Sequence, residues 1–268
     1  MSNNIDILPD VQLTKPKYEI EVNKVGIVEL VLPIFVSQQV GGFQYSTANI
    51  DCCVSLESHL KGTNMSRIPR TIHTYLDRPL TGKIIKEIAD EVKYNTEAND
   101  VHLVYRFPYF VKKLAPESKE PGLVHYNALF EGSQIKDIYK FNIGVEVTAT
   151  NLCPCSKAIS NYGAHNQRVL IKIKACQKEN SFVWLEELIN LAEDSSSCEI
   201  FSILKREDER YVTEKAYENP MFVEDIVRSC YDKLINLNSI EYFKVEAKAQ
   251  ESIHLHSAYA SITRAKEG

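Results

Sequence analysis

What the 268-residue sequence lacks excludes several classes of protein at once. No stretch approaches the roughly 18 consecutive apolar residues that a membrane-spanning helix needs. The longest apolar run, Ile27 to Val36, is interrupted by Glu29 and Pro33. The opening MSNNIDILPDVQLTKPKYEI has no basic region followed by an apolar one, so the expectation is a cytoplasmic protein with no membrane partner. There is no basic excess either. A net charge of -5 and a pI near 5.9 argue against a general nucleic-acid binder, although a local basic pocket is compatible with them. The seven cysteines are odd in number and scattered, which excludes a disulfide framework in a chain of this kind. Cys52, Cys53, Cys176, Cys198 and Cys230 read as small buried hydrophobes. The P-loop and the G-x-G-x-x-G dinucleotide fingerprint are absent, as are H-E-x-x-H and G-x-S-x-G. The zinc deaminase pattern fails because Pro154-Cys155 is followed by Ser156-Lys157-Ala158, with no second cysteine in place.

What is present is the composition of a globular chain, 44% hydrophobic and 25% charged, long enough for one large domain or two ordinary ones. Residues 1–16 are polar and aperiodic and read as a loose arm. From Tyr18 the β-branched alternation predicts a long strand or two short ones, followed by a turn at Gly41-Gly42 and a partner strand over Phe43 to Leu56. A polar loop with short helical turns leads to a helix over Leu80 to Val92, then to strands over Val101–Val111 and Gly122–Phe130. A second series begins near Lys140: strands FNIGVEVTATNL and QRVLIKIKAC, helices over Phe182–Ala192 and Met221–Leu237, and strands IEYFKVEAKAQ and HSAYASITRA. Pro220 suits a first-turn position of the second helix. The expected fold class is α+β, with two tandem modules of long antiparallel strands and helices packed on one face, over residues 17–139 and 140–268.

The densest chemical cluster is TNLCPCSKAISNYGAHNQR, residues 150 to 168, between two expected strands. Cys-x-Cys is a weak metal signal, since zinc sites prefer Cys-x₂-Cys, and the competing reading is a turn with two incidental cysteines. Lys157 and Arg168 shift the balance, because cationic neighbours favour the thiolate of Cys153 and Cys155. His254-Leu255-His256 is the second cluster; in a strand both imidazoles would share a face, against the plainer reading of two surface histidines. Such a site needs a carboxylate, and the segment over residues 205–220 offers Glu207, Asp208, Glu209, Glu214 and Glu218 without spacing that chooses among them.

Read in order, Leu152 to Lys157, Tyr162 to Arg168, Leu204-Lys205-Arg206, Tyr211 to Glu214, Ala216 to Pro220, Phe222 to Asp225 and Glu251 to His254 resemble the GTP cyclohydrolase IB family. Lys61-Gly62-Thr63 with Met65-Ser66-Arg67 is similar to it as well, and the likeness runs from about residue 18 to the C-terminus. The resemblance implies tandem tunnelling-fold (T-fold) modules, a homotetramer with active sites at subunit interfaces, and conversion of GTP and water to 7,8-dihydroneopterin triphosphate and formate. It also implies one divalent metal per site (zinc, manganese or iron) on Cys153, Glu209 and His254, with Glu207 the competitor of Glu209 and Glu251 a further site member. Glu224 matches the carboxylate that anchors the guanine edge, His165 and His256 the proton-transfer histidines, and Cys155 a supporting group. Arg67, Lys157 and Arg168 are assigned to the triphosphate from charge alone.

That chemistry suits these residue types. Carbon 8 of guanine is a poor electrophile, so a metal is needed to bring the pKa of a water towards about 7. A histidine can protonate the leaving ring nitrogen, and a carboxylate can accept from guanine N1–H and the 2-amino group, which adenine cannot reproduce. One departure is Asn64, where the family usually carries histidine; asparagine hydrogen-bonds but carries no proton. Two alternatives stay open: the archaeal-type enzyme that gives a cyclic phosphate product, and a non-catalytic purine- or pterin-binding protein on the same fold.

Overall fold

The computed structural model describes residues 11–265, so the first ten residues of the expected arm lie outside it. The elements are β1 (Val22–Ser37), β2 (Phe43–Leu56), α1 (Arg67–His73), α2 (Gly82–Thr96), β3 (Asp100–Leu114), β4 (Pro121–Ile135), β5 (Ile138–Leu152) and α3 (Pro154–Ile159). They continue with β6 (Asn166–Gln177), α4 (Leu185–Glu193), β7 (Cys198–Glu199), α5 (Arg206–Glu218), α6 (Val223–Ile235), β8 (Ile240–Ala249) and β9 (Ala258–Arg264). Strands pair in the order β1-β2-β3-β4-β5-β6-β8-β9, with β7 on β5. The pairings β5–β6, β5–β7, β6–β8 and β8–β9 are all antiparallel.

Two compact units divide the chain. Among the described residues, the first comprises 11–34, 48–105 and 131–140; the second comprises 35–47, 106–130 and 141–265. Residues 35–47 and 106–130 group with the second unit.

In the first unit, α2 begins at Thr81, whose hydroxyl accepts from Ile84 N–H at 3.2 Å, and it buries Ile84, Ile85, Ile88, Ala89 and Val92. That is the 3.6-residue apolar stripe read from the sequence. Gln12 donates to Thr63 O at 2.8 Å, so this end of the expected arm is held. In the second unit, alternation on β5 and β6 turns Ile143, Val145, Val147 and Ala149, and Val169, Ile171, Ile173 and Ala175, to one buried face. Helix α6 covers β8 and β9, and α4 packs on β6 and α6. The turn at Gly41 and Gly42 uses positive φ at both (92° and 79°), which glycine adopts without penalty.

Three expectations are corrected. Phe222 is the N-cap of α6, so Pro220 lies ahead of the helix and not in its first turn. Within residues 205–220, expected only as a polar charge run, Arg206–Glu218 form α5; with Asp208 and Ala216 its only buried residues, it has no apolar stripe to betray it. His254-Leu255-His256 is not in a strand: β9 starts at Ala258, and residues 250–257 form a loop after β8.

Candidate active site

The second unit carries a cleft of about 190 Å³ lined by Cys153, Glu224, Glu251, Asn151, Gln167 and Tyr259, with Met221 and Phe222 at the α6 end. Three residues singled out in the sequence therefore meet there. Cys153 is placed by β5 ending at Leu152 and by its own position as N-cap of α3, where its sulfur accepts from Ser156 N–H at 3.5 Å. Pro154 at N1 suits that start, since its missing N–H has no helical partner to lose. The return strand is tied to it: Cys153 N–H donates to His165 O at 3.1 Å, and Ser156 Oγ bridges Cys153 O (3.1 Å) and His165 N–H (3.2 Å). Glu224 sits exposed in the first turn of α6, where the positive end of the helix dipole favours a carboxylate.

Asn151 and Gln167 were missed in the sequence. They are partners in the β5–β6 register and belong to the inward rows, 3% and 8% exposed, where every other residue named above is aliphatic. Gln167 Nε2 donates to Asn151 Oδ1 at 2.7 Å, and Asn151 Nδ2 donates to Met221 O. His165 Nδ1 lies 2.9 Å from Gln167 Oε1 and 3.3 Å from Ser252 Oγ, which joins it to the wall of the cleft. The signal that could have found the pair was parity: two amides closing inward rows at the same end of adjacent strands.

One carboxylate of α5, that of Asp208, is held by a clamp. Buried Asp208 accepts from Ser118 Oγ (2.6 Å) and from the backbone N–H groups of Glu117 (2.8 Å), Ser118 (2.9 Å) and Lys205 (2.8 Å). Burial alone would raise its pKa, but these hydrogen bonds outweigh it and hold the carboxyl well below its usual range. Lys215 pairs with Glu199 at 2.6 Å, and burial against Glu199 drives the Cys198 thiol up to about 12. Asp208 is thus a structural member of the charge run, and Glu207 and Glu209 on either side of it are exposed; nothing in the geometry chooses between them.

The remaining residues are dispersed. Cys155 is exposed on α3, and Lys157 spends its ammonium on Tyr217 O and lies 4.3 Å from the centroid of the same ring. Arg168 is exposed on β6, on the opposite pleat face from Gln167. His254 and His256 are exposed on the loop, with their rings stacked at 4.9 Å and 13°. Arg67 belongs to the first unit, donates to Asn95 O at 2.5 Å and lines a cleft of about 630 Å³ there with Arg70, Glu91 and Tyr94. Asn64 accepts from Ser66 Oγ at 2.7 Å. Thiolate, imidazole and carboxylate suit zinc, iron or manganese by type. Among the described residues, no group of three His, Cys, Asp or Glu side chains that could hold a metal ion is gathered.

An α+β fold with a thiol, two carboxylates and a buried amide pair joined to an imidazole at one strand end defines a candidate hydrolytic enzyme. The chain belongs to the type I GTP cyclohydrolase folE2 family, whose model matches residues 8–260. It is 44% identical over 260 residues to the GTP cyclohydrolase FolE2 of Geobacter sp. (strain M21), covering 97% of this chain and 96% of that one. It is 42% identical over 259 residues to the FolE2 of Nitrosococcus oceani, with 97% and 96% covered. Among solved structures, the uricase of Arthrobacter globiformis shares the fold with a TM-score of 0.60 at 8% identity, covering 92% of this chain and 94% of that one. Urate oxidase from Bacillus sp. TB-90 gives 0.52 at 8%, with 91% and 100% covered.

Proposed function

We propose that the chain hydrolyses GTP to 7,8-dihydroneopterin triphosphate and formate, the first step of folate-type pterin biosynthesis. The observation that carries this reading is the cleft where Cys153, Glu224 and Glu251 meet beside the His165 chain, in a sequence matched to the family over residues 8–260. In this reading Glu224 accepts from guanine N1–H and the 2-amino group, which selects GTP over ATP. His165 and His256 move protons as the imidazole ring opens, and Cys155 supports them. Lys157, Arg168 and Arg67 hold phosphate oxygens.

The proposed cofactor is one zinc, manganese or iron(II) ion on Cys153, Glu209 and His254, with Glu251 nearby; when bound, such an ion supplies an activated water. Assembly belongs to the proposal: T-fold modules in tandem within each copy, and copies joined as a homotetramer with interfacial sites. The fold shared with uricase supports the modules. Exposed apolar side chains beside the site residues support the interface: Ile159 and Tyr162 near Cys155, and Ile253 and Leu255 around His254.

The test is incubation of metal-reconstituted protein with GTP, with formate measured and the pterin read by fluorescence after oxidation. Formate and a triphosphate pterin are expected. No formate with any of the three metals would sink the reading, and Cys153→Ala with full activity and full metal content would sink the metal assignment.

A further inference from the structure

We propose that Asn151 and Gln167 are positioning residues that set the tautomer of His165, holding the proton on Nδ1 and leaving Nε2 as the open nitrogen. The polarity of the chain runs outward from one group that can only accept. Met221 N–H is fixed to Leu152 O at 3.1 Å, and Met221 O faces Asn151. A carbonyl oxygen has no proton to give, so the Asn151 amide must present its NH₂ there and its Oδ1 to Gln167. Gln167 must then present its own NH₂ to that oxygen, at 2.7 Å, which leaves Oε1 aimed at His165. With 2.9 Å between Oε1 and Nδ1, a bare Nδ1 would set two lone pairs against each other, so Nδ1 carries the hydrogen. Ser252 Oγ, 3.5 Å from Gln167 Oε1 and 3.3 Å from Nδ1, is placed to donate to the first and accept from the second.

Burial makes the arrangement hold. Both amides are more than nine-tenths buried, and each flip that would reverse the chain faces acceptor to acceptor where water cannot repair it. The backbone on either side of His165 is also pinned, by Cys153 N–H on its carbonyl and by Ser156 Oγ on its N–H. A neutral imidazole with a defined open Nε2 is what proton transfer requires. That catalytic consequence rests on the role proposed for His165 above, whereas the tautomer rests on geometry alone.

The test reads the tautomer directly, by solid-state NMR of full-length protein labelled with nitrogen-15 histidine, with His165→Gln used to assign the His165 signals. A protonated Nδ1 and bare Nε2 are expected in the wild type. Asn151→Leu leaves His165 and its direct partner in place but frees Gln167 to turn, so a mixed tautomer signature is expected. Gln167→Leu should also give the mixture, with kcat down by about 10²-fold and KM little changed, while Gln167→Glu, which still accepts from Nδ1–H, keeps the signature and recovers part of kcat. A wild-type signature with bare Nδ1, or an unchanged one in Asn151→Leu and Gln167→Leu, overturns the proposal. Loss of GTP hydrolysis in the wild type would remove the proposed function and leave the NMR outcome standing.

Discussion

Within the second unit, Lys113 on β3 meets Glu193 at the end of α4. Its ammonium donates to both carboxylate oxygens at 2.8 Å and to Ile200 O at 3.3 Å, and the side chains are 14% and 8% exposed. Tyr126 adds one hydrogen bond to Glu193 Oε1 at 2.7 Å. Lys113→Met keeps the length of the stem but strands the carboxylate with Tyr126 alone. Removing one member of a buried pair costs about 3–5 kcal/mol, because the remaining charge is left without compensation. At about 2–4 °C per kcal/mol for a chain of this size, Tm should fall by roughly 6–20 °C. The second half of the experiment is the double variant Lys113→Met/Glu193→Gln. Its amide oxygen still accepts from Tyr126, and no buried charge remains, so the residual loss should be only about 1–2 kcal/mol. Thermal and urea unfolding followed by circular dichroism reads both. A single variant within about 1 kcal/mol of wild type, or a double variant no more stable than the single, would refute the reasoning.

Other expectations are shorter. Asp208→Asn removes an acceptor oxygen from the clamp on α5 and should lower the urea midpoint at neutral pH. The folded-state pKa of Asp208 is depressed, so its contribution is fully present above the unfolded value of about 3.9 and is lost as pH falls through the folded one; the gap between wild type and Asp208→Asn should close on acidification below about 4. Thr81→Ala takes the N-cap from α2 and should cost about 1 kcal/mol, seen as faster hydrogen exchange in that helix; unchanged exchange would count against the cap. Glu224→Gln should lose roughly 10²-fold in kcat/KM for GTP, the equivalent of weakening two charge-assisted hydrogen bonds to guanine, and a loss confined to metal content would contradict that role.

The long strands and the amphipathic helices were legible in the sequence because their periods, two and about 3.6, are local properties of the chain. Phe43–Leu56 was read to the residue, and α2 by its five buried aliphatics. The family was legible too, since its motifs are strings of neighbours in sequence. What the periodicity could not reveal is α5, which the Asp208 clamp, the Lys215–Glu199 pair and Asn219 on Ser196 O tie to other segments. Nor could it show that His254 and His256 stack on a loop, because the shared face inferred from an i, i+2 spacing presumes a strand that starts only at Ala258.

By itself, then, the sequence determined the long strands, the amphipathic helices and the family. The tertiary structure decided which polar side chains meet. Asn151 and Gln167 are 16 positions apart and unremarkable as letters. They become a buried relay because the β5–β6 register sets them opposite each other, and because Met221, 70 positions from Asn151, offers its carbonyl to one end of it. Direction of a hydrogen bond is a property of the partner, and partners are supplied by the fold.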